Sequence, residues 1–123
     1  MKIAILLARL LLGLAFLVFG LNGFLHFIPG APPPGLAGDF VKAMFLSGYF
    51  SVVAAFQIAG GALLLSGRFV ALGLTLLGPV IVNILLFHLF LEHTGLPIAI
   101  VVSCLGAFLL WGYRDRFAPI LKP

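Results

Sequence analysis

Six residues carry polar chemistry inside or at the edge of apolar sequence: Asn22, His26, Gln57, Asn83, His88 and Glu92. Such groups are costly in an apolar surrounding, and where they occur they bind ligands, relay protons or bond one helix to another. Asn22 and His26 are four apart, the spacing of one helix face. His88 and Glu92 are also four apart, so the carboxylate can hold the imidazole by a charge-assisted hydrogen bond and fix its tautomer. Read together, the six suggest a polar pocket for a small amphipathic molecule. A quinone is the leading candidate, because its carbonyls need hydrogen-bond donors near a membrane boundary. Phe24, Phe27, Phe87 and Phe90 are available as walls for its ring. The competing reading makes Asn22, Gln57 and Asn83 interhelical hydrogen-bonding groups. A metal or haem held by His26 and His88 is disfavoured, since such ligands usually face each other at equal depth.

The elements that must position these residues are apolar throughout. Of 123 residues, 63% are hydrophobic and 8% charged, against about 25% charged in soluble domains, and the mean hydropathy is +1.31. Ten charges cannot cover a water-soluble surface of this size, so the surface faces lipid. The sequence predicts an all-α fold, a transmembrane four-helix bundle in one membrane domain, with spans at about 3–28, 40–66, 69–91 and 96–113. Continuous apolar runs must be helical in lipid, where the backbone has no other hydrogen-bond partners, and they lack the alternation of barrel strands. Pro29 should end the first span, and Pro32, Pro33 and Pro34 make the next loop non-helical. Asp39 is the expected N-cap of the second span. The stretch from Asp39 to Gly48, with Lys42, is expected to lie in the interface. Pro79 is expected to kink the third span.

Charge gives the spans a direction. Lys2, Arg9, Arg68, Arg114, Arg116 and Lys122 fall at one set of span ends, and Lys42 is alone at the other. Cations concentrate on the cytoplasmic side, so both termini are expected there, in a plasma (cytoplasmic) membrane. The pI of about 9.9 therefore reflects topology and not nucleic-acid binding. The partner it implies is the lipid bilayer. With Arg9 and Arg68 at the inner boundary, Asn22 and Asn83 lie about 20 Å further out and His26 and His88 about 26–30 Å. Gln57 falls near the centre. The first apolar run exceeds the length of a cleaved leader's core and reads as a retained anchor. Cys104 is the single cysteine, which excludes dithiol chemistry within the chain and suggests a small packing residue.

The halves resemble each other. Arg9, Gly13, Asn22 and His26 run parallel to Arg68, Gly73, Asn83 and His88, and the run beginning at Gly61 parallels the run beginning at Gly106. A duplication would make two hairpins of like orientation.

Several motifs resemble those of the DoxX family of small membrane proteins. These are Ala8–Gly13, Phe19–Phe24, Ser47–Phe50, Gln57–Leu65 and Arg68-Phe69, and the resemblance spans nearly the whole chain. It implies a four-helix membrane bundle and an association with quinone-linked or other redox complexes. Members of the family often carry a glutamate just before the paired glycines of the second span, where this chain has Gln57, which cannot ionise. The expected function is an accessory or binding subunit linked to quinone and redox processes. The alternatives are a scaffold, or a homo-oligomer that assembles through its glycine-lined faces. A transporter is weaker, since four helices enclose a path only when chains associate.

Overall fold

The structure, a computed structural model, describes residues 1–27 and 30–123. All its regular elements are helical: α1 (Lys2–Leu25), α2 (Gly35–Ser47), α3 (Tyr49–Ser66), α4 (Val70–Phe90), α5 (Leu96–Gly112) and α6 (Arg114–Phe117), followed by a 3-10 turn at Ala118–Leu121. α1, α3 and α4 are each long and apolar enough to cross a membrane. α5, taken with the segment that bends away from it by 76°, forms a fourth candidate. The chain is a multi-pass membrane protein built as a helical bundle.

α1, α3, α4 and α5 pack in a ring, with α1 against α3 the most extensive interface and α1 against α5 closing the circle. Each helix sends one fully buried leucine to the centre: Leu12, Leu64, Leu77 and Leu109. Burying a leucine from water stabilises by about 1.5–3 kcal/mol. Between a lipid-exposed helix and a bundle most of that gain is absent, so close packing must hold the helices together. The consecutive glycines Gly60 and Gly61 supply it. A Cβ on Gly61 would stand 2.7 Å from both Gly13 O and Leu17 N of α1. One on Gly60, turned about 100° around the helix, would stand 2.8 Å from Leu77 Cδ2 and 3.1 Å from Gly73 O of α4. These glycine faces are thus occupied within the chain. Gly13 and Gly73, equivalent in the sequence repeat, both meet this glycine pair. Gly106, the counterpart of Gly61, instead faces Ile81, so the second hairpin does not reproduce the seam of the first.

Four expectations need correction. The span 40–66 is two helices, because Gly48 adopts φ 84° and stops α2. Asp39 is no N-cap: α2 begins after Pro34, at a positive-φ Gly35, and leaves Asp39 exposed inside the helix. α1 ends at Leu25, with His26 in the left-handed region at φ 52°. The expected continuation to Ile28 and the stop at Pro29 lie outside the described residues. Cys104 is exposed on α5 and not packed.

Candidate ligand-binding cavity

Two helix stops use the same local chemistry. Ser47 Oγ donates to Met44 O at 3.4 Å and accepts from Tyr49 N–H at 3.2 Å. Ser66 Oγ donates to Leu63 O at 2.9 Å and accepts from Arg68 N–H at 3.1 Å. A left-handed glycine follows each serine, Gly48 and Gly67, the residue that tolerates this conformation without a Cβ clash. The stop at Gly67 lets α4 turn back against α3. The stop at Gly48 turns α2 away from the axis of α3 and sets it beside the gap between α3 and α4. Phe40 of α2 meets Phe87 of α4 at 5.6 Å between ring centroids, and Phe45 meets Phe50 at 4.6 Å.

These contacts enclose a cavity of about 760 Å³ among α2, α3 and α4, within the size range of small-molecule sites. Its aromatic walls are Phe40, Phe50, Phe56 and Phe87, with Met44 and Val80 between them. Three of the six expected residues line it: Gln57, Asn83 and His88. Gln57 is 5% exposed, and its Oε1 has no hydrogen-bond partner among the described residues. A buried amide oxygen left unpaired costs about 1–3 kcal/mol. Asn83 Nδ2 donates to Pro79 O within its own helix at 2.8 Å, and its second N–H remains for another acceptor.

His88 is held from two sides. Its Nδ1 lies 3.0 Å from Glu92 O and 3.3 Å from Glu92 Oε2. Both neighbours only accept, so Nδ1 carries the hydrogen and the neutral ring offers Nε2 as an acceptor. Glu92 also organises the turn into α5. Its Oε1 accepts from Thr94 N–H at 2.8 Å and from Thr94 Oγ1–H, and its Oε2 accepts from Gly95 N–H at 3.3 Å. Donation by the Thr94 hydroxyl, then by backbone N–H groups, with a smaller share from His88, holds the Glu92 carboxyl below its usual pKa. Gly95 sits flat against the imidazole, and a Cβ there would overlap the ring. Since φ at Gly95 is −89°, space and not backbone conformation requires glycine.

Asn22 and His26 do not join this cavity. The helix ends before His26, so the two do not share the helix face that their spacing predicts. The His26 ring lies against Phe45 of α2 at 6.0 Å between centroids, and neither ring lines the cavity. Of the four phenylalanines expected as walls, only Phe87 contributes, and Phe24, Phe27 and Phe90 are exposed. Sequence reasoning missed Phe40, Met44, Phe50 and Phe56. The i, i+4 spacing of Phe40 and Met44 was a usable signal, in a stretch expected to lie in the interface. No family model, curated protein or solved structure matches the chain.

Proposed function

We propose that the chain is a membrane subunit that binds a small amphipathic aromatic molecule, a quinone or its quinol, in the cavity among α2, α3 and α4. The observation that carries this reading is an aromatic-walled space of the right volume into which one helix pair brings Gln57, Asn83 and His88 together. A quinol hydroxyl would donate to His88 Nε2. A quinone carbonyl would accept from Gln57 Nε2–H or from the free N–H of Asn83. Glu92 keeps His88 in the tautomer that accepts from a quinol and stabilises the imidazolium if a proton moves. Gln57 cannot ionise, so it orients and does not relay. The DoxX-like motifs support the same redox setting. In this reading the ends bearing Arg9, Arg68 and Arg114 are cytoplasmic, by the excess of cations there.

Titration of the purified protein in nanodiscs with a short-chain quinone tests the proposal by calorimetry. Wild type should bind saturably, and His26→Ala should match it. His88→Ala should weaken binding about tenfold, equivalent to ~1.4 kcal/mol. Equal binding by wild type and His88→Ala, or no binding by either, would sink the proposal.

A further inference from the structure

At the end of the bundle opposite the cavity, Lys2, Ile5, Leu6 and Arg9 form one stripe of α1 at helical spacing. Across from them stand Gly112 and Tyr113, and between the two walls lies a second cavity of about 310 Å³. Gly112 permits the approach, since a Cβ there would meet Ile5 Cδ1 at 2.9 Å. The Arg9 guanidinium reaches to the C-terminal stop of α3, where a Cβ on Gly67 would overlap Nη1. Its Nε is buried, and Arg9 makes no hydrogen bond or ion pair among the described residues. The helix terminus offers only about half a negative charge, which attracts the guanidinium without neutralising it.

The surroundings add two cations, Arg114 and Arg116, and one carboxylate, Asp115. Arg114 lies over the Trp111 ring at 4.7 Å and donates to Trp111 O at 2.8 Å, and Arg116 lies over the Tyr113 ring at 5.5 Å. Asp115 forms no ion pair among the described residues. A half-buried guanidinium with an ammonium seven residues away, a phenol opposite and no carboxylate among the lining residues is built to receive an anion with several acceptor oxygens. Leu6, Leu7 and Leu10 are exposed on the same helix, so an acyl chain could run beside the anion along α1.

We propose that Lys2, Arg9 and Tyr113 bind a phosphate group, most simply the phosphodiester of an anionic phospholipid. The guanidinium donates a planar pair of N–H groups to two phosphate oxygens, Lys2 adds charge, and the Tyr113 hydroxyl donates to a third oxygen. This site is independent of the quinone reading.

Thermal unfolding and native mass spectrometry of the full chain test it, in nanodiscs of phosphatidylcholine with and without phosphatidylglycerol. Wild type should be stabilised by phosphatidylglycerol and retain it in preference to phosphatidylcholine. Arg9→Gln should retain it about fivefold less, the factor expected for one cation at a lipid surface. Lys42→Gln, at the other end, should behave as wild type. If Arg9→Gln does not fold, Lys2→Gln carries the test with the same expected loss. Inorganic phosphate added to phosphatidylcholine discs separates the sources: no effect assigns the site to lipid, and stabilisation lost in the variant assigns the same site to a free anion. Absence of any preference in wild type, or its full retention in both Arg9→Gln and Lys2→Gln, overturns the proposal.

Discussion

α3 and α4 meet in two different ways along one interface. Near Gly60 and Gly73 their backbones nearly touch. Around Gln57, Val80 and Asn83 the same helices stand apart, and the phenylalanines of α2 and α3 wall the space between. Lipid supplies little drive for helix association, so a tight contact is made by removing side chains and an open one by retaining large ones. The difference teaches that the glycine pair and the cavity are one design. The seam fixes where the helices start, and so how far apart they are when they reach Gln57.

The largest effect should come from breaking the seam. Gly61→Ala sets a methyl against backbone atoms of α1 and should destabilise by about 1–3 kcal/mol, measured by unfolding in detergent. The same change at Gly78, where a Cβ meets nothing within 4 Å, should be near neutral. Equal effects at the two positions would mean that the seam is not what holds α1 to α3. Gln57→Leu sharpens the other side. It removes an unpaired buried acceptor with little change in volume, so stability should rise by about 1 kcal/mol while quinone binding is lost. A fall in stability would reassign Gln57 to the seam.

Gly95→Ala should push the His88 ring off its preferred orientation at a cost of ~1 kcal/mol, roughly a fivefold loss of quinone affinity. An unchanged affinity would show that the ring's seat is irrelevant to the site. The smallest effect concerns pH. The Glu92 pKa is lowered on folding, so its contribution to stability is complete above the unfolded value near 4.5 and fades as pH falls through the lower folded value. The Thr94 and Gly95 amide resonances followed by NMR should shift in that acid window. Shifts centred above the unfolded value contradict the bonding described.

The spans were legible because long apolar runs admit one backbone solution in lipid. The His88–Glu92 pair was legible because it is local, four residues on one helix. Asn22 and His26 were misjudged for two reasons. The C-terminal stop of α1 falls before His26, and helices that are apolar around their whole circumference give no sign of which face meets which neighbour. The sequence marked Gly48 as the end of the interfacial stretch, but not as a helix stop. In a membrane sequence a glycine reads first as a packing residue, and only its φ reveals a stop. Gly61 conforms to the packing reading, and Gly48, after a serine, does not.

The stop at Gly48 has one further consequence. A broken helix ordinarily needs water at the break, because backbone groups there lose their partners. Here the Ser47 hydroxyl serves Met44 O and Tyr49 N–H, Gly48 N–H reaches Phe45 O at 3.4 Å, and Ser51 N–H reaches Gly48 O at 3.1 Å. The corner brings its own solvation. It can therefore sit below the headgroups, and a molecule dissolved among the acyl chains can reach the phenylalanines without first crossing into water.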